Sequence, residues 1–82
     1  MLDLLNKLKE SGMLYFFLVS LISSDTLLTV KDCENSITRL KELLEVIPQS
    51  DLTDEEKEKA TNFCNEGVEI CERDKKELEK IN

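Results

Sequence analysis

Apolar residues between positions 30 and 47 recur at alternating steps of three and four, and this spacing constrains the fold more than any other feature. The series is Val30, Cys33, Ile37, Leu40, Leu44 and Ile47. Alternating steps of three and four place all six side chains on one face of an α-helix. Pro48 follows, and the residue before a proline is driven out of the helical conformation. Before the series, Ser23, Ser24 and Asp25 form a cluster of helix-capping residues. The pattern therefore predicts an amphipathic helix over residues 25–47.

A second helix is predicted over residues 53–81. Thr53 and Glu56 have the spacing of a capping box, in which each side chain binds the backbone N–H of the other. The apolar seam that follows is narrow and contains small residues: Ala60, Cys64, Gly67, Cys71, Leu78 and Ile81. Because the connection between the two helices is short, we expect an antiparallel hairpin. A loop centred near residue 50 places Leu40 beside Ala60 or Thr61.

Residues 1–24 are predicted to form apolar helices that cover this hairpin. The first should begin after Asp3 and end at Gly12, a residue that commonly terminates helices. The run 13–22 is rich in aromatic and branched residues, which favour a strand locally. A strand here has only residues 26–30 to pair with, and an isolated hairpin is rarely stable, so we expect a helix. Core helix, interface helix and strand remain open as alternatives.

The chain as a whole is predicted to be a single all-α domain, a small bundle of three to four helices. With 82 residues it buries only about 60–65% of its unfolded surface, so its core is thin. The sequence has 2 Gly and 1 Pro, which argues against a fold of many strands and turns. A two-helix hairpin cannot bury both of its faces. We therefore expect either residues 1–24, which we call the front segment, or a second copy of the chain to cover it, and we predict a homodimer.

No membrane span is expected, because the apolar run from Met13 to Ile22 is about half the length that a spanning helix needs. Lys7 and Lys9 before that run resemble the start of a signal peptide, but no suitable cleavage site follows. We therefore interpret the run as a helix that is buried in the core or in an interface.

The charge is concentrated at the end of the chain. The net charge is −7, and residues 51–82 carry 11 of the 18 acidic residues against 6 of the 11 basic ones. Direct binding of nucleic acid is not expected, because it requires a basic surface. The acidic residues chosen as a candidate face are Glu58, Glu66, Glu69 and Glu72. They form either a solvated helix face or a surface that imitates nucleic-acid phosphates.

The composition gives little support for catalysis or metal binding. The chain has no His, and its 3 Cys residues show no C-x-x-C spacing. We expect a protein that is not an enzyme and has no metal or other cofactor. Cys33, Cys64 and Cys71 are interpreted as buried packing residues. An odd number of cysteines in seam positions favours a reducing compartment, so we expect a cytoplasmic protein.

Three consecutive aromatic residues point to a binding surface in the front segment. On a helix, neighbouring residues point about 100° apart, so Tyr15, Phe16 and Phe17 cannot all face one core. The predicted contact residues are Met13, Tyr15, Phe16, Phe17 and Val19. The favoured hypothesis is a non-catalytic adaptor, inhibitor or regulator that binds another protein. The alternatives are an acidic nucleic-acid mimic that inhibits an enzyme and a self-associating structural or assembly subunit.

Overall fold

The computed structural model describes residues 2–23 and 25–81, and within them it contains four α-helices. These are α1 (Leu2–Ser11), α2 (Leu14–Ser20), α3 (Val30–Val46) and α4 (Asp54–Ile81), with a 3-10 turn at Ile47–Gln49. The molecule measures 42 × 18 × 17 Å. A helix rises about 1.5 Å per residue, so α4 alone spans the long axis. The predicted all-α bundle is confirmed.

Two of the helix boundaries, the end of α1 and the start of α4, follow from local signals in the sequence. Gly12 has φ +73°, and the backbone N–H groups of Gly12 and Met13 donate to the carbonyls of Lys9 and Leu8. This is the Schellman arrangement, and it ends α1 where we expected. At the start of α4, the Thr53 N–H donates to Glu56 Oε1 at 3.0 Å, and the Glu56 N–H donates to Thr53 Oγ1 at 3.2 Å. The predicted capping box is present.

The start of α3 was predicted wrongly. The helix begins at Val30 and not at residue 25, because Thr29 and Asp32 form a second capping box. Upstream, the carbonyl of Ser23 accepts the N–H groups of Thr26 and Leu27, which closes a turn. Of the cap cluster predicted at residues 23–25, Ser24 lies outside the described residues. The helix predicted over residues 53–81 agrees with α4 to within one residue, whereas α1 begins one residue before its expected cap, Asp3.

The hairpin is antiparallel, but its predicted register is wrong. Leu40 contacts Gly67, six positions beyond Thr61, and Glu34 pairs with Lys75 at 3.7 Å. The reason lies in the connection. The 3-10 turn that follows α3 packs beside the first turns of α4. The residues of α3 therefore lie opposite residues further along α4 than a simple loop would place them. At this register a large residue of α3, Leu40, still faces a small residue of the α4 seam, Gly67.

The core is one cluster to which every helix contributes. From α4 it takes Ala60, Cys64 and Cys71, as the seam predicted. The last two seam positions were predicted wrongly, because Leu78 is only half-buried and Ile81 at the end of the helix is 79% exposed. From α3 it takes Cys33, Leu40 and Leu43, and Ser36 is buried beside them. Val30, Ile37 and Leu44, which we placed in the seam, are only half-buried. The α3 helix packs against both α4 and the front segment, so its buried stripe is rotated towards the front.

The front segment is fixed at the closed end of the hairpin by polar contacts. Lys9 Nζ donates to the carbonyl of Asp51 and lies 3.9 Å from Glu56 Oε1. The Asp51 N–H donates to Asn6 Oδ1 at 3.1 Å. On the apolar side, Leu5 is buried in the core cluster. These contacts tie α1 to the connection between α3 and α4, and α1 in turn positions α2.

Candidate interaction surfaces

The α2 helix has one buried side and one exposed apolar side. Its inner side consists of Leu14 and Leu18, both in the core. Its outer side, together with the residue before it, carries four exposed apolar side chains, which we call the α2 face. They are Met13 (49% exposed), Tyr15 (44%), Phe16 (71%) and Val19 (50%). At helical spacing these four side chains are neighbours, so they form one continuous surface.

The structure separates the five predicted contact residues into two groups. Four of them make up the α2 face. Phe17 is half-buried and packs against the core cluster, as its position between the inner and outer sides requires. The aromatic run thus supplies one anchor to the core, Phe17, and two rings to the surface, Tyr15 and Phe16. The prediction that three consecutive rings cannot share one core is confirmed.

The polar groups at the end of α2 are already hydrogen-bonded within the chain. Ser20 Oγ donates to the Phe17 carbonyl at 2.6 Å, and Thr26 Oγ1 donates to the Ser20 carbonyl at 2.6 Å. No charged residue occurs between Ser11 and Ser24. A partner that covers this region therefore removes neither a charge nor an unpaired Ser20 hydroxyl from water.

A second surface is formed by the four predicted acidic residues of α4, which we call the acidic row. Glu58, Glu66, Glu69 and Glu72 are all exposed. They lie on the side of α4 away from the buried residues Ala60, Cys64, Gly67 and Cys71. Within the described residues none of the four forms an ion pair, whereas Glu55 pairs with Lys59 at 3.3 Å.

The three cysteines lie inside the hairpin and are free thiols. Cys33, Cys64 and Cys71 are all 0% exposed. Burial raises the pKa of Cys64 and of Cys71 to about 11 and also raises the pKa of Cys33. Thiols of this kind are poor nucleophiles at neutral pH. In the part of the chain that the structure describes, no group of three or more acidic or cysteine side chains could hold a metal ion.

One groove was not predicted from the sequence. It has a volume of about 820 Å³ and lies between α3 and the turn after α2. Its lining is polar and mixed in charge, with Arg39 between Asp32 and Glu42 and with Ser20 and Thr26 on the opposite side. No local motif predicts such a groove, because it depends on where Ser20, Leu21 and Thr26 lie against α3.

Comparison of the chain with protein-family models, with curated proteins and with solved structures gives no match. Among the helices within residues 2–23 and 25–81, none has both the length and the apolar character that crossing a membrane demands. What is known of the site therefore comes from the chain's own geometry.

Proposed function

We propose that this chain is a non-catalytic protein–protein interaction module, a small acidic helical adaptor, inhibitor or regulator. The α2 face is its contact surface. The observation that carries the proposal is the exposure of Phe16, a residue that is 71% accessible to solvent within a continuous apolar surface. Aromatic side chains are enriched in the centres of protein interfaces and dominate their binding energy.

The α2 face is held in place before any partner binds. Seven residues are too few for a helix to be stable in water by itself. The helix persists because Leu14 and Leu18 are buried and because the Schellman arrangement at Gly12 sets its direction. A surface ordered in advance loses little conformational entropy on binding, which favours affinity.

The non-catalytic part of the proposal rests on residue chemistry. Without His, the chain lacks the commonest general base, and its thiols are buried with raised pKa values. Three buried and unbridged cysteines also fit a reducing compartment, so we propose a cytoplasmic location.

A second candidate function is imitation of nucleic-acid phosphates by the acidic row. The observation that favours it is that Glu58, Glu66, Glu69 and Glu72 are exposed and form no ion pair within the described residues. Such a row can occupy a basic groove on a nucleic-acid-binding enzyme. Binding of that kind weakens steeply as salt is added, because both surfaces are solvent-exposed before they meet.

Affinity capture with three variants tests both functions. The tagged chain is exposed to an extract of its source cells, and the retained proteins are quantified by mass spectrometry. Phe16→Glu places a charge on the α2 face. Leu28→Glu is the matched control, since Leu28 is 66% exposed but lies outside α2. The third variant reverses the charge of Glu66, Glu69 and Glu72 to Lys.

The proposal predicts that at least one protein is retained by the wild type, by the control and by the charge-reversed variant, but not by Phe16→Glu. Retention that Phe16→Glu leaves unchanged contradicts a role for the α2 face. Retention that is lost on charge reversal, and that falls with added salt, supports the nucleic-acid mimic instead.

A further inference from the structure

We infer that the α2 face binds a second copy of this chain, in a two-fold dimer whose α2 helices lie antiparallel. The inference rests on the proposed function and names the partner of the same surface. Its basis is the order of side chains along α2, the distribution of charge in the chain and the size of the surface.

The α2 face is complementary in shape to a second α2 face that is related to it by a two-fold rotation. Its large side chains, Met13, Tyr15 and Phe16, occupy the beginning of the surface, and its small side chain, Val19, lies at the end beside the adjoining Ser20. A two-fold axis near residue 18 of α2 places the large half of one copy on the small half of the other. Phe16 then packs against Val19 and Ser20 of the second copy. A two-fold interface uses the same patch on both subunits and requires this kind of self-complementarity.

The charge distribution leaves the α2 face as the uncharged place where two copies can meet. Each copy carries −7, so two copies repel one another wherever acidic residues approach. Residues 11–24 contain no charged side chain, and residues 51–82 hold 11 of the 18 acidic residues. Contact through α2 thus joins apolar surfaces while the acidic row of each copy remains in water.

The area of the α2 face fits a weak, reversible dimer. A full aromatic side chain offers about 150–250 Å², so the exposed parts of its four side chains amount to roughly 400 Å² per copy. With the adjoining Ser11, Gly12 and Ser20, the pair buries roughly 800–1,000 Å². Interfaces below about 1,200 Å² are typical of transient complexes, so we expect a dissociation constant in the micromolar range.

Absolute mass in solution tests the inference. Light scattering after gel filtration is run from about 1 µM to about 500 µM with reductant present. The expected mass rises from the 9.5 kDa of the monomer towards twice that value. Phe16→Glu is expected to raise the dissociation constant at least about 100-fold, because the carboxylate loses its water in an apolar contact. Leu28→Glu should leave the constant within about threefold of the wild type.

A mixing experiment tests the antiparallel arrangement. Phe16→Glu and Ser20→Lys are each expected to weaken the dimer when measured alone. Mixed together they should form a heterodimer at least about tenfold more stable than either homodimer, because the arrangement places residue 16 of one copy beside residue 20 of the other. Addition of salt should strengthen the wild-type dimer, since it screens the repulsion between two acidic copies.

The outcomes separate this inference from the proposed function. A wild type that remains monomeric at about 500 µM, or a Leu28→Glu variant as weak as Phe16→Glu, overturns the second copy as the partner. If the monomeric chain still retains another protein through Phe16, the proposed function stands and the occupant is a different protein. A dimer whose mixed variants show no rescue overturns the antiparallel arrangement.

Discussion

The contact between Gly67 and Leu40 allows the packing of the hairpin to be tested quantitatively. A β-carbon added to Gly67 would lie 3.0 Å from Leu40 Cδ1 and 3.2 Å from Ile22 Cγ2. Optimal carbon–carbon separations are about 3.5–4.0 Å, so its neighbours would have to move by about half an ångström. Leu40 is fully buried and has little room to do so.

The expected change for Gly67→Ala is the sum of two opposing terms. Replacing Gly by Ala inside a helix stabilises it by about 1 kcal/mol. Overpacking of a filled core costs about 1–3 kcal/mol. The net expectation is a loss of about 1 kcal/mol in the free energy of unfolding. Gly67→Leu adds three further carbons at the same point and should cost about 3 kcal/mol or more.

The effect of Gly67→Ala on the free energy of unfolding should change sign when Leu40 is shortened. Leu40→Ala removes the Cδ1 atom and is expected to cost about 2–5 kcal/mol by itself. In that background the Gly67→Ala methyl group enters the vacated space, and the remaining neighbour, Ile22, is only half-buried. Gly67→Ala should then stabilise the protein by up to about 1 kcal/mol. The two substitutions are therefore coupled by about 2 kcal/mol.

Urea unfolding followed by circular dichroism at 222 nm measures the four members of this cycle. Protein concentration is kept equal throughout, because self-association would add to the apparent stability. Leu40→Val replaces Leu40→Ala if the latter fails to fold. A change for Gly67→Ala that is equal in both backgrounds, to within about 0.5 kcal/mol, would refute the close approach of α3 and α4 at this point.

Three further predictions concern the loop after α1, the thiols and the capping box at the start of α4. Gly12 has φ +73°, a conformation that costs a residue with a β-carbon about 1–2 kcal/mol, and an added β-carbon meets no atom within 4 Å. Gly12→Ala should therefore lower the free energy of unfolding by about 1–2 kcal/mol, and Gly12→Asn by less. Equal stability of all three proteins in urea would contradict this. The thiols of Cys64 and Cys71 have a pKa of about 11 against an ordinary 9.0. At pH 8 the smaller thiolate fraction alone should slow their reaction with Ellman's reagent about 100-fold, and denaturant should make all three thiols reactive. Rapid reaction of the native protein would show that the seam is open. Hydrogen bonds from Thr53 hold the pKa of Glu56 in the folded protein below its ordinary 4.5. The ionised Glu56 side chain therefore contributes its full stabilisation above about pH 4.5, and this contribution is lost as the pH falls through the pKa of Glu56 in the folded protein. Melting temperature should therefore fall less with acid in Glu56→Gln than in the wild type, and parallel curves would contradict the assignment.

The features that could be predicted from the sequence are those that depend on nearby residues. The capping box at Thr53, the end of α1 at Gly12 and the small residues along α4 each have a local cause. The second capping box was missed because Asp32, and not Glu or Gln, stands at its third position, and because the polar run at residues 23–25 resembled a cap more strongly.

The features that could not be predicted depend on distant contacts. The register of the hairpin is set by how the 3-10 turn at Ile47–Gln49 packs on α4, which no spacing in the sequence reveals. The burial of Ser36 and Leu43 follows from the position of the front segment on α3. Likewise, the aromatic run predicted that a ring would be exposed, but only the path of α2 decided that it is Phe16 and not Phe17.

Photo-cross-linking from position 16 tests most directly whether the α2 face is a binding surface. A photoreactive phenylalanine analogue replaces Phe16 in one protein and Glu69, in the acidic row, in another, and both are irradiated at equal concentration in an extract of the source cells. We predict protein adducts through position 16, with a second copy of the chain among them, and few through position 69. Adducts through position 69 with none through position 16 would contradict the account.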